Sequence, residues 1–206
     1  AIKGKKNDGN LFLKEALDKG ASLAIINRYQ KKLNQKKQIK VFDSLKSLTD
    51  LSKLIRTNFY GKIIAITGSC GKTSLKKMTG EVLNSFYKTS YSPKSYNNKY
   101  GVPLSLFNLN LENQCGVFEI GMDKKGEIDI LSKILKPDIG VITNISYAHA
   151  KNFKNIKGIA KAKGELIDNI KKQGVIILNK DDKFYKFHKM KALKRNLNIF
   201  SFGLKK

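Results

Sequence analysis

Residues 63–74 read IIAITGSCGKTS. Four apolar residues, Ile63 to Ile66, run into a glycine-rich turn, and Lys72-Thr73 then opens a segment compatible with a helix. Strand, loop, helix is the layout in which backbone N–H groups cradle phosphate at a helix N-terminus. Gly68 and Gly71 let the backbone curl around phosphate oxygens with no Cβ in the way. Lys72 can reach the terminal phosphates, and the Thr73 hydroxyl can ligate magnesium. A nucleoside triphosphate site is therefore expected here, carried by Gly68, Gly71, Lys72 and Thr73. The loop departs from the general GxxxxGK[ST] pattern, because Ile66 stands where that pattern has its first glycine.

The rest of the composition narrows the class. At 206 residues and 41% hydrophobic content the chain can bury a core as one large domain or two modest ones. It has no run of about 18 apolar residues to cross a bilayer, and its opening, AIKGKKNDGN, lacks the apolar core of a signal peptide. A cytosolic protein with no membrane partner is expected. The two cysteines, Cys70 and Cys115, have neither zinc nor disulfide spacing, which suits a reducing compartment. The formal charge of +25, from 41 Lys and Arg against 16 Asp and Glu, raises the question of nucleic acid. The lysines are spread through every segment and no interleaved basic and aromatic motif appears, so no nucleic-acid partner is expected. A phosphate-rich small ligand remains favoured by such a surface.

Outward from the loop, the chain alternates strands with helices. Upstream, residues 10–20 suggest a short helix ending at Gly20, residues 22–27 (SLAIIN) and 39–42 (IKVF) suggest strands, and Asp43-Ser44 can cap a helix running to about Phe59. The spacing of Leu45, Leu48, Leu51, Leu54 and Ile55 marks the expected inner face of that helix. Downstream, a helix is expected over 74–87 with Leu75, Met78, Val82, Leu83 and Phe86 inward, then a short strand, a polar loop around Pro93, Asn97 and Asn98, and a helix from about Val102. Strands follow at 116–121, 138–145, 175–179 and 198–203. The helices between them are expected at 127–135, stopped by Pro137, at 156–170, and in the Lys-rich segment before the last strand. This order predicts an α/β fold: a mostly parallel sheet with helices on both faces, over 61–206, preceded by a small partial α/β domain over 1–60. Ligands of such sheets gather beyond the carboxyl ends of the strands.

Several polar residues fall at those ends. Glu119 closes the apolar run VFEI and is a candidate ligand for magnesium on a triphosphate. His149 follows the strand at 138–145, whereas His188 sits in the Lys-rich helix with no such placement. Lys163 lies between Ala162 and Gly164, small neighbours that leave room around its amine. Asn179, Asp181 and Asp182 end another strand, where they can hold a nucleotide sugar or base or form a turn.

The segments GSCGKTS, NNKYGVP, FEIGMDKKGEI, NISYAHAKNF, AKAKGE and LNKDD occur in the order and approximate spacing of the Mur ligase family. The chain resembles that family, and most of all its members that add D-alanyl-D-alanine to UDP-N-acetylmuramoyl-tripeptide. The upstream stretch NDGNLFLKEALDKGASLAI is similar to the first-domain segment of those enzymes. The resemblance implies an ATP-dependent amide ligase that phosphorylates the terminal carboxylate of the UDP-linked peptide and lets the amine of D-alanyl-D-alanine attack the acyl phosphate. It implies that residues 68–74 hold the phosphates, that Thr73 and Glu119 share one magnesium, and that His149 helps with a second. Lys72, Lys163 and His149 would be catalytic, Lys163 falling where these ligases carry a carbamylated lysine whose added carboxylate binds the second metal. Asn97 and Asn98 would lie on the substrate side, and Asn179 and Asp182 on the nucleotide. ATP, Mg2+, UDP-N-acetylmuramoyl-tripeptide and D-alanyl-D-alanine are the implied ligands, and a monomer is expected.

Departures accompany the resemblance. Asn10 stands where the family commonly has His, and Cys70 where a small polar residue is usual. The start of the UDP-binding domain and the C-terminal domain of the family have no counterpart here, so the chain is expected to be a fragment that does not turn over by itself. The nearest alternatives are a diaminopimelate- or lysine-adding ligase or folylpolyglutamate synthase. A non-ligase nucleotide-binding module is the alternative from another class.

Overall fold

A computed structural model describes residues 1–4, 7–147 and 152–204. The chain forms two compact units, Ala1–Leu51 and Ser52–Lys206. In the smaller one, a 3-10 turn at Gly9–Phe12 leads into helix α1 (Leu13–Asp18), which ends at Gly20 with φ +96°, a left-handed position that suits glycine. Strands β1 (Ala24–Ile26) and β2 (Gln38–Lys40) pair in parallel. The buried Gln38 amide donates to the carbonyls of Gln30, Leu33 and Asn34 and so fastens the connecting loop to β2. The second strand is shorter than the expected 39–42: Phe42 is fully exposed and Asp43 already caps helix α2 (Ser44–Asn58), accepting from the N–H groups of Leu45 and Lys46.

The larger unit is a sheet with all its neighbouring strands parallel. Its elements are β3 (Lys62–Thr67), α3 (Lys72–Asn84), β4 (Thr89–Tyr91), α4 (Gly101–Leu106), β5 (Cys115–Glu119), α5 (Glu127–Leu135), β6 (Ile139–Ile142), α6 (Ile156–Lys163), α7 (Glu165–Asp168), β7 (Val175–Asn179), α8 (Tyr185–Lys194) and β8 (Asn198–Phe202). Among the described residues the strand order is β4-β5-β3-β6-β7-β8. The chain leaves β3 to build β4 and β5 on one side, then returns to build β6 to β8 on the other. The strand order therefore reverses at β3, and the crevice at the carboxyl ends opens there.

Strand alternation divides the core. Ile63, Ala65, Phe118, Ile142, Ile176 and Leu178 face the larger cluster, which α4 to α8 cover with Leu106, Ile128, Leu131, Ile159, Leu166 and Ala192 among others. Ile64, Ile66, Val117 and Val141 face the other way, against Leu75 and Leu83 of α3. Helices thus lie on both faces, as expected, but unequally.

Three helix readings change. In α2, Leu51 and Leu54 are exposed, while Ser52 and Arg56 are buried. The inner side is built on Arg56, whose guanidinium donates to the carbonyls of Leu135, Lys136 and Phe59 and lies 3.5 Å from Asp138. In α3, Met78 and Val82 are exposed, as is Phe86 just past its end, and the inward positions are Leu75, Lys76, Thr79, Gly80 and Leu83. Gly80 sets that rotation: a Cβ there would come within 2.5 Å of the Tyr91 ring, so the helix rests on β4 where it has no side chain. Finally, the expected 156–170 helix breaks at Gly164 into α6 and α7.

Arg56 satisfies carbonyls that terminate α5, and its loss would leave those carbonyls without their donor and a cavity among them, while Asp138 would keep Lys171 and the Ile63 N–H. Arg56→Ala should lower unfolding free energy in urea by about 3 kcal/mol, and Arg56→Lys should recover little of it because an ammonium cannot reproduce the planar fork. Equal stability of Arg56→Lys and the parent chain would contradict this account.

Candidate active site

The loop expected to bind phosphate leaves β3 at the point of strand reversal. Gly68 has φ +150° and Gly71 φ +81°, and a Cβ on Gly68 would sit 1.8 Å from Oγ1 of Thr143. Glycine is required at position 68 by contact as well as by conformation. The β3–β6 pairing brings the Thr143-Asn144 turn against the loop. There Ser69 N–H donates to Asn144 O at 2.9 Å, Cys70 N–H donates to Asn144 Oδ1 at 3.1 Å, and Thr143 Oγ1 donates to Cys70 O at 2.7 Å. These bonds fix the loop from its flank and commit the Ser69 and Cys70 amides. The N–H groups of Lys72, Thr73 and Ser74 belong to the first turn of α3, where a helix has no internal acceptors to offer, the setting in which a helix N-terminus can receive an anion.

Two amines meet at one carbonyl. Lys72 Nζ and Lys163 Nζ each donate to Gly68 O at 2.9 Å. Lys163 is 1% exposed at the end of α6, and burial, then repulsion by Lys72, bring its pKa down to about 7, with Cys70 opposing. The Cys70 thiol itself is exposed.

Glu119 stands on the neighbouring strand. The parallel register pairs it with Ile66, and Thr67 Oγ1 donates to Ile120 O at 3.0 Å, so β5 ends beside the start of the loop. Alternation turns the Glu119 side chain to the face that α3 covers. It is 0% exposed, its Oε1 accepts from Asn97 Nδ2 at 2.8 Å, and its Oε2 has no hydrogen-bond partner. Such an orphaned buried oxygen calls for a missing cation or water. Lys76, one turn beyond Thr73 on the same helical face, approaches that oxygen at 3.8 Å. Thr73 Oγ1 lies 3.2 Å from Ser95 Oγ, which comes from the loop that also carries Asn97. Among the described residues no cluster of three or more His, Cys, Asp and Glu forms. The buried carboxylate of Glu119 and the hydroxyl of Thr73 are oxygen donors of the kind a hard divalent ion takes, with phosphate and water as its remaining ligands.

The remaining sequence candidates are placed as follows. Asn97 acts on Glu119, and Asn98 Oδ1 accepts from the N–H groups of Tyr100 and Gly101 at the start of α4. Asn179 Nδ2 donates to Thr143 O at 3.0 Å, and the residue lines a cavity of about 460 Å³ that runs from Gly71 and Asn144 over Ile64, Val141 and Ile177. Asp182 accepts from the N–H groups of Ile145 and Phe184 and thereby holds the segment after β6. His188 is buried and its Nε2 lies 2.9 Å from Ala160 O, a tie between α8 and α6. His149 lies outside the described residues. Lys76, Ser95 and Thr143 were not singled out by the sequence, and Asn144 entered only within the segment NISYAHAKNF; the Thr-Asn pair just past the end of β6 was the available signal, since it follows the strand that flanks β3 opposite β5.

A phosphate loop at the strand-reversal point of a parallel sheet, with an inward carboxylate on the next strand, defines a mononucleotide-binding α/β domain. The Mur ligase middle-domain model matches residues 66–206, and the chain belongs to the Mur ligase family. It is 35% identical over its whole length to the UDP-N-acetylmuramoyl-tripeptide–D-alanyl-D-alanine ligase of Buchnera aphidicola subsp. Baizongia pistaciae, of which it covers 44%. Its structure resembles MurF from Acinetobacter baumannii with a TM-score of 0.88 and 35% identity, over 98% of this chain and 44% of that one. It resembles the MurF ligase of Thermotoga maritima in complex with ADP with a TM-score of 0.82 and 31% identity, over 98% of this chain and 46% of that one. The chain thus spans less than half the length of these relatives.

Two outcomes follow from the geometry. Gly68→Ala should abolish nucleotide binding measured by calorimetry, because the methyl must displace Thr143 from Cys70 O. For Lys163, the unfolded chain holds a proton up to the ordinary lysine pKa, whereas the folded chain releases it near 7. Stability is therefore held down below pH 7 and rises by roughly 2 kcal/mol between pH 7 and 9. Urea titrations should show that rise in the parent chain and a flatter profile in Lys163→Met.

Proposed function

We propose that this chain supplies the nucleotide-handling site of an ATP-dependent amide ligase that joins D-alanyl-D-alanine to UDP-N-acetylmuramoyl-tripeptide. The observation that carries the reading is the orphaned, buried Glu119 oxygen 3.8 Å from Lys76 of α3, together with a loop whose Gly68 carbonyl accepts from two lysines. The named relatives support the choice of substrates.

The reaction must bring together two anions, the γ-phosphate of ATP and the carboxylate it is to phosphorylate. This chain's contribution is positional and electrostatic. The first-turn amides of α3 and the Lys72 ammonium hold the phosphates, Lys72 exchanging Gly68 O for phosphate oxygen. Thr73 and Glu119 would hold Mg2+, which supplies charge neutralisation to the γ-phosphate when bound. Asn97 keeps the Glu119 carboxylate aimed at that position, and Asn98, by capping α4, fixes the segment on which Asn97 sits. Asn179 and the apolar cavity beside it take the nucleoside end, with Asp182 holding Ile145, the residue after the Thr143-Asn144 part of the lining. The amine of D-alanyl-D-alanine then displaces phosphate from the acyl phosphate and forms the amide bond.

Lys163 is a carbamylation site in this reading, because an amine with a pKa near 7 is substantially uncharged at neutral pH and can add carbon dioxide, releasing one proton. The carbamate so formed would give the second magnesium a carboxylate ligand, with His149 as its partner. The protein works as a cytoplasmic monomer in this reading, consistent with free cysteines and with soluble anionic substrates.

Calorimetry with ATP and Mg2+ should show binding that Lys72→Ala and Glu119→Gln each weaken at least tenfold. With 13C-bicarbonate, a carbamate resonance should appear in the parent chain and be missing in Lys163→Arg. The substrate assignment is tested by phosphate release from ATP in the protein at its natural length, each of the two peptide substrates being withheld in turn. Release that continues without either would defeat it.

A further inference from the structure

Lys76 is a lysine with an unusual setting in a chain whose lysines are mostly solvated. Its side chain points inward from α3 and is 2% exposed. The Nζ donates to the carbonyl of Lys94 and lies 3.8 Å from Glu119 Oε2, the buried oxygen that has no hydrogen-bond partner. That separation provides a counter-charge but exceeds a hydrogen bond. The oxygen's lone pairs are left for another ligand, while the carboxylate is spared the cost of being an isolated buried anion.

The Lys94 contact has its own meaning. Lys94 has φ +44°, a left-handed backbone that a non-glycine residue adopts at a cost and keeps only where neighbours hold it. It belongs to the connection between β4 and α4, which also places Ser95 at Thr73 and Asn97 at Glu119. One ammonium therefore touches both the acid and the segment that aims it.

We propose that Lys76 is a positioning residue: a built-in counter-ion that keeps Glu119 and the 94–97 segment arranged for a divalent cation at the phosphate loop. The proposal rests on the metal reading of Glu119 given above. Lys76 stands in for part of the cation's charge beforehand, and its distance from Oε2 leaves the coordination position open. A hydrogen-bonded ion pair in the same place would compete with the metal; this one does not.

The test compares thermal unfolding of the full 206-residue chain in EDTA and in Mg2+ for four forms: parent, Lys76→Met, Glu119→Gln and the double variant. In EDTA, Lys76→Met should lose roughly 10 °C, as expected when one partner of a buried pair is removed. Mg2+ should restore at least half of that loss, and it should shift neither form that carries Glu119→Gln. In the Glu119→Gln background the Lys76→Met change should cost under a quarter of its cost in the parent. If Lys76→Met does not fold in EDTA, the double variant decides: a folded double variant supports the proposal, and an unfolded one overturns it. An equal loss in both backgrounds also overturns it, reducing Lys76 to a tether for Lys94. Coupling between positions 76 and 119 without any Mg2+ rescue overturns the metal reading instead, so the two failures are distinguishable.

Discussion

The site depends on one backbone carbonyl. Gly68 O accepts from Lys72 and from Lys163, residues far apart in sequence and carried by different helices. For both amines to reach it, the loop must curl back over the end of β3, and that curl requires the positive φ at Gly68 and the absence of a Cβ facing Thr143. Once the loop is so folded, its outer side presents the first-turn amides of α3 and its inner side is closed by α6. The cost is electrostatic: burial first, and then the charge of Lys72 at the same oxygen, bring the Lys163 amine down to about 7.

The sheet provides the second half of the arrangement by register alone. β3 lies between β5 and β6, and the paired residues Ile66 with Glu119 and Thr67 with Ile142 end both neighbours at the level of the loop. On one side this delivers a carboxylate; on the other, the Thr143-Asn144 turn that ties down Ser69 and Cys70. Alternation then decides orientation: Glu119 falls on the α3 face, where Thr73 and Lys76 wait one turn apart, while Phe118 beside it enters the core. Membership of the Mur ligase family, shown by the match over 66–206 and the MurF likeness, agrees with this layout.

Charge abundance hid the most informative residues. With 41 Lys and Arg in 206 residues, no single lysine is a signal in the sequence. Burial sorts them: Lys76 and Lys163 are inside, one near Glu119 Oε2 and the other on Gly68 O, whereas the surface pairs such as Lys14 with Asp18 and Lys46 with Asp50 are exposed one-turn pairs on helices and contribute little. The apolar spacing misled for a related reason. Met78, Val82 and Phe86 form a helical stripe as regular as a core stripe, yet α3 turns them outward because Gly80 fits the Tyr91 ring and Lys76 must reach Glu119.

The amino-acid sequence by itself determined the local chemistry: a glycine turn ahead of Lys72-Thr73, an apolar run closing on Glu119, a small-residue setting for Lys163, and strand and helix periods in an order that permits a parallel sheet. These are properties of contiguous residues, so propensity, capping and spacing suffice to read them. Only the tertiary structure decided which oxygen Lys163 approaches, that Asn97 serves Glu119, that Asp182 braces the segment after β6, and that Lys76 faces the acid at all. Each of those facts joins residues that are distant along the chain, and such pairings are set by strand register, helix rotation and the exclusion of water, none of which a local pattern contains.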